Sequence, residues 1–185
     1  MTSARLTLAT LALLSLSACA SMGPSLGPPP PPPPPRGAGG PPSAEVFRQQ
    51  DFSWSAVPGK GRIDGHLSFR NGSQRYVCAG ASVILTPETL WTRRRMTILY
   101  TSPNASAMPV AEVRARTPSA PSGDYSAFVR RTTCDAGDRF SFQGLANGAW
   151  FVILVAKPAG GGGAPDMAIM RRVEVKGGRA TSVEL

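Results

Sequence analysis

Residues 133–155 read Thr-Cys-Asp-Ala-Gly-Asp-Arg-Phe-Ser-Phe-Gln-Gly-Leu-Ala-Asn-Gly-Ala-Trp-Phe-Val-Ile-Leu-Val, and this stretch decides the fold. Ala136-Gly137-Asp138 and Asn147-Gly148 are turn signals, with Asp135 and Asp138 as turn formers. Asp and Asn hydrogen-bond their own backbone, and Gly takes positive φ without a steric penalty. Between the turns, Phe140-Ser141-Phe142 alternates with the period of a strand that has one apolar face. Trp150 to Val155 is different: a continuous apolar run, suited to a strand buried on both faces. Turn, strand, turn, buried strand is the grammar of a β-domain.

The same punctuation recurs outward, at Pro58-Gly59, Asn71-Gly72 and Gly177-Gly178. Ile63, Gly65, Leu67 and Phe69 alternate with polar partners, and Ala81 to Leu85 is denser and central. Met167 to Val175 and Thr181 to Leu185 would complete the sheets. Six or seven strands of this length predict an all-β sandwich over residues 46–185. Residues 87–101 allow two forms. Pro87-Glu88 can open a short helix with Trp91, Ile98 and Leu99 on one face, or Met96, Ile98 and Tyr100 can alternate as a strand. The helix is the expected form. Residues 102–123, rich in Ser, Pro and Ala, read as a long surface excursion, and Gly160 to Gly163 as a flexible hairpin loop.

Three segments together resemble a known family. They are Gly61 to Leu67 (GRIDGHL), Cys78 to Pro87 (CAGASVILTP), and Thr133 to Phe142 with Leu145 and Gly148-Ala149-Trp150. They resemble the carboxypeptidase regulatory-like domain, whose signature is T-x-D-x-x-G-x-F-x-F followed by L-x-x-G-x-Y. Asp138 stands where that signature has Gly, and Trp150 where it has Tyr. The resemblance covers most of 60–185 apart from an insertion around 90–125. It implies a prealbumin-like sandwich of about seven strands. It does not imply an enzyme, because zinc carboxypeptidases hold their metal on a separate domain through His-x-x-Glu and a second His. His66 is the single histidine here, and it reads as an ordinary sheet-surface residue.

The chain has 185 residues with 19 Pro, and eleven of these precede residue 43. The N-terminus explains them. Arg5 and the apolar run Leu6 to Leu16 read as an export signal over 1–18; the run is short of the roughly 20 residues needed to span a bilayer. Leu16-Ser17-Ala18-Cys19 resembles the lipobox of bacterial lipoproteins, which implies acylation of the Cys19 thiol after cleavage. Two or three acyl chains suffice for stable anchoring. The resemblance to Gram-negative lipoproteins, with Ala20 and no Asp after the Cys, implies forwarding to the outer membrane, facing the periplasm or the cell surface. Residues 19–45 then form a tether. Pro28 to Pro35 in polyproline II geometry reaches about 25 Å.

With Cys19 lipidated, Cys78 and Cys134 are an even pair in an oxidising compartment and are expected to form a disulfide. It would close a 57-residue loop, stabilising by about 4 kcal/mol through chain entropy. A reactive thiol or half a metal site is the alternative, though no CxxC and no neighbouring ligand supports it. Twenty basic and 11 acidic residues give a formal +9. Arg93, Arg94, Arg95, Arg130, Arg131, Arg171 and Arg172 are the candidate surface for an anionic partner. The alternative is solvated charge on strand edges. Export excludes nucleic acid as a partner, and no catalytic, cofactor or metal motif occurs. The expected function is a non-catalytic module binding an envelope protein or glycan. An accessory subunit of an envelope hydrolase and a structural spacer are the alternatives.

Overall fold

The computed structural model describes residues 43–161 and 163–185, all within one unit, Gly40–Leu185. The export signal, Cys19 and the tether as far as residue 42 lie outside the described residues. After a 3₁₀ segment, Gln49–Ala56, come β1 (Gly61–His66), β2 (Arg70–Asn71), β3 (Gln74–Val77) and β4 (Ser82–Pro87). Then follow α1 (Leu90–Tyr100), β5 (Ala105–Pro109), α2 (Val110–Arg116) and two 3₁₀ turns, Thr117–Ser119 and Ser126–Phe128. The chain ends with β6 (Arg130–Thr133), β7 (Arg139–Leu145), β8 (Gly148–Pro158), β9 (Met167–Val175) and β10 (Ala180–Glu184).

A three-stranded sheet, β10-β1-β7, faces a larger sheet built on β8. On one side of β8 lie β9 and then β5; on the other lie β4 and then β6, while β3 pairs its far end at Tyr76↔Pro158 and β2 pairs β3. The architecture is an all-β sandwich. The described residues hold ten strands where about seven were expected, and three of the ten (β2, β3 and β6) have four residues or fewer. Strands that short carry too little alternation to be read from sequence.

The apolar run in β8 has its explanation in both neighbours. Trp150, Val152, Leu154 and Ala156 enter the sandwich core with Ile63, Phe142 and Leu145. Phe151 and Ile153 point the other way, against Met96, Leu99 and Tyr100 of α1. A strand covered on both faces has no solvent-facing register, so no polar residue interrupts it. The cover ends at Val155, which is exposed. Within the three-stranded sheet, the Phe140 ring lies on its register partner Gly65, where a Cβ would come within 1.9 Å of it.

The segment between β4 and β6 corrects two expectations. Pro87 ends β4 instead of opening the helix. Thr89 caps α1 through a reciprocal box: Thr92 N–H donates to Thr89 Oγ1 at 3.1 Å, and Thr89 N–H donates to Thr92 Oγ1 at 2.7 Å. The alternative strand at 96–100 is therefore excluded. Residues 102–123 are no loose excursion: β5 pairs antiparallel with β9 from Ala105↔Arg171 to Pro109↔Met167, and α2 follows. Small residues hid this strand because its register rests on backbone bonds more than on apolar side chains. The insertion leaves β4, crosses the sheet as α1, adds β5 beyond β9, and returns to begin β6 beside β4. It is a lid of secondary structure over the outer face of the large sheet.

Cys78 and Cys134 form a disulfide with Cα atoms 5.7 Å apart. Both are buried in the sandwich core. The bridge clamps the base of β4 and β6, the two strands from which the insertion springs, beside the register pair Ser82↔Thr133. Next to it, Asp138 is buried with φ +60°. A left-handed residue costs least as Gly, which accounts for the Gly at this position in the signature the segment resembles. Asp138 compensates with its side chain. Its Oδ1 accepts from Cys78 N–H at 2.7 Å and Ala79 N–H at 3.1 Å, and Oδ2 pairs with Arg75 at 3.1 Å.

Candidate functional site

The two layers over the large sheet differ in how completely they cover it. The three-stranded sheet closes its face, whereas α1 and the return segment leave a cleft of about 350 Å³ between them. Ile84 of β4, Ile153 of β8, Met96 and Leu99 of α1, and Val129 form an apolar floor and wall. Thr86, Tyr100, Asp124, Tyr125, Ser126 and Arg131 supply the polar groups. The volume falls at the small end of the range for ligand cavities. Arg131 reaches the cleft because its register partner is Ile84, so their side chains share a face of the sheet.

Burial, with the Tyr125 hydroxyl nearby, pushes the Tyr100 phenol up to about 12; it stays protonated and able to donate. The Asp124 carboxylate accepts from the Ser126 hydroxyl at 2.7 Å and its N–H at 3.0 Å, and these bonds hold its pKa below the ordinary value. The Tyr125 ring packs among Phe52 and Trp91, with the Arg95 guanidinium 5.9 Å from its centroid. Arg95 also donates to Pro121 O at 2.7 Å. This wall is therefore fixed by aromatic packing and a charge-assisted hydrogen bond. Arg131 is exposed, and no ion pair or side-chain hydrogen bond engages it among the described residues.

The seven arginines named as a candidate surface for an anionic partner separate by role. Arg93 and Arg172 both pair with Glu88, at 2.6 and 2.7 Å. Burial pushes the Glu88 carboxyl up, but the hydrogen bonds and charges of Arg172 and Arg93 outweigh this and hold it below the usual range. That triad ties the start of α1 to β9. Arg94 pairs with Glu45 at 2.7 Å. Arg130 donates to Gln143 O at 2.7 Å on the free edge of β7, where it blocks further strand pairing. Arg171 faces the sandwich side of β9, opposite Val152, and Arg172 the helical side, opposite Phe151. Neighbours along a strand point apart, so neither Arg130-Arg131 nor Arg171-Arg172 is a single patch.

His66 lies on the outer face of the three-stranded sheet, where Nδ1 is 3.1 Å from Glu184 Oε1 and both side chains are exposed. Cys19 is outside the described residues. Among the described residues no group of three or more His, Cys, Asp or Glu could hold a metal ion, and no helix is long and apolar enough to cross a membrane. Tyr100, Asp124 and Tyr125 were not legible as site residues. The crossover brings them together from two sides of the insertion, and no local sequence signal marks them as a set.

No protein-family model matches the sequence, and no curated protein matches it. Among solved structures, a "putative carbohydrate binding protein" from Pseudomonas aeruginosa aligns with a TM-score of 0.57 and 21% identity, over 77% of this chain and 99% of that one. At this identity the likeness bears on the fold alone, and it supports the sandwich. The minor pilin of Streptococcus agalactiae aligns at 12% identity with a TM-score of 0.35, over 70% of this chain and 44% of that one.

Proposed function

We propose that the chain is a lipid-anchored, non-catalytic binding module of the Gram-negative envelope, holding a saccharide in the cleft over Ile84 and Ile153. The observation that carries this is the pairing of an apolar floor with a rim of hydroxyls and one free guanidinium. A sugar ring has the matching anatomy: C–H faces for the floor, and hydroxyl edges for Thr86, Tyr100, Ser126 and Arg131. The fold likeness to a protein named for carbohydrate binding supports the same reading. Placement on the outer membrane is supported by the lipobox Leu16 to Cys19, by Ala20 and by the proline tether. The resemblance to carboxypeptidase regulatory-like domains is supported by the left-handed backbone at Asp138, where the signature has Gly.

Two experiments test this. Cys19→Ala should move the protein from the membrane fraction to the soluble fraction, and unchanged sedimentation would contradict the anchor. Titrating the full chain in non-ionic detergent with a panel of neutral and acidic oligosaccharides should give saturable binding. Ser126→Trp, which fills the mouth of the cleft, should abolish it. Binding that survives the Trp would move the site elsewhere.

A further inference from the structure

From the charges that face the cleft, we infer that its ligand is an anionic saccharide whose carboxylate or phosphate pairs with Arg131. This inference rests on the saccharide reading above and adds the sign of the ligand. Among the residues lining the cleft, the charged side chains are Asp124 and Arg131. They are not equivalent. Asp124 Oδ1 is engaged by the hydroxyl and N–H of Ser126 within its own turn, so that oxygen holds the loop and those two donors offset part of the carboxylate's charge. Arg131 has no such engagement. A second guanidinium, Arg95, stands behind Tyr125 and adds to the positive potential. Tyr100 stays neutral, its phenol pushed up to about 12 by burial, and contributes a donor but no charge.

The apolar floor makes the imbalance matter. A ligand seated over Ile84, Met96 and Ile153 displaces water from one side of the Arg131 side chain. A neutral ligand would leave that cation partly desolvated and unpaired, which is unfavourable. An anionic group replaces the lost hydration with a charge-assisted, two-pronged hydrogen bond, and the planar guanidinium fork suits carboxylate and phosphate alike. The position is also held firm: β6 is paired to β4 from Ser82↔Thr133 to Leu85↔Arg130, so only the side chain has to be ordered on binding. The neighbouring Arg130, one residue back on the opposite face, is already committed to the carbonyls of Gln143 and Gly144. Of this adjacent pair, Arg131 alone is left for a ligand.

The test is calorimetric titration of the full chain in non-ionic detergent with digalacturonate, its methyl ester, and mannose 6-phosphate. Digalacturonate should bind about ten-fold tighter than the ester at low salt, with the preference shrinking as salt rises. The phosphate sugar separates the two anions, because the tighter of the two names the group that Arg131 takes. Arg131→Gln should erase the preference for the charged form, while Arg171→Gln, on the other face of the sheet, should leave it. Equal affinity for acid and ester, or a preference that survives Arg131→Gln, would overturn the inference and leave saccharide binding standing. Failure of every sugar to bind would remove both.

Discussion

The two faces of the large sheet are built from the same strands and put to different uses. Towards the three-stranded sheet, Trp150, Val152 and Leu154 interlock with Ile63, Phe142 and Leu145, and all six are buried to 4% exposure or less. Towards the helical layer, Phe151 and Met170 are equally buried, but Ile84 and Ile153 stay half-open at the floor of the cleft. The difference follows from what does the covering. A sheet packs on a sheet along its whole face, whereas one eleven-residue helix and an irregular return cover a stripe each. The closed face holds the fold together. The incompletely closed face is where a ligand can sit.

That contrast can be broken by substitution, and the largest effect should come from the closed face. Trp150→Ala empties a fully buried position and should cost about 3–5 kcal/mol in urea unfolding; a cost below 1 kcal/mol would mean the two layers are not interlocked as described. Replacing both Cys78 and Cys134 by Ala should cost about 2–4 kcal/mol. Because the bridge clamps the strands that carry the insertion, hydrogen exchange in α1 and β5 should speed up more than in β10. Uniform acceleration would place the clamp elsewhere. At Asp138, Ala should cost about 2–3 kcal/mol, since it loses two backbone hydrogen bonds and the Arg75 pair and keeps the left-handed backbone. Gly should recover about 1 kcal/mol of that. Equal costs would mean the backbone angle is irrelevant.

On the helical side the effects are smaller and depend on pH. The Glu88 carboxyl has a folded pKa below its unfolded value, so its ion pairs stabilise the protein above about pH 4.3 and the contribution fades as pH falls through the folded value. Glu88→Gln should therefore cost about 1 kcal/mol at pH 7 and progressively less as the pH falls below the ordinary carboxylate range and through the lower folded value. A gap that widens on acidification would reverse the sign of the account. Arg131→Gln should change stability by less than about 0.5 kcal/mol, since the side chain supports nothing in the protein.

The same contrast governs how much could be read from sequence. The sandwich was legible because β8 and β7 announce their burial, one by an unbroken apolar run and the other by Phe-Ser-Phe alternation. Cys78 and Cys134 were legible through the compartment that the N-terminus implies. The insertion was not. Its helix is capped by two threonines that resemble any polar stretch, and β5 is a row of small residues whose partner β9 lies far along the chain. The cleft inherits that opacity. Arg131 was among the candidates, but nothing local separated it from Arg130. That distinction needed the sheet register, which sends one side chain to the edge of β7 and its neighbour to the mouth of the cleft.

Methyl-resolved NMR of the full chain in detergent micelles during titration with digalacturonate tests the central claim most directly. Saturable shift changes should be confined to Ile84, Met96, Leu99, Val129 and Ile153, and in Arg131→Gln the same changes should need about ten-fold more ligand. Changes centred on Thr181 and Val183 of the three-stranded sheet, or no changes at saturating ligand, would contradict it.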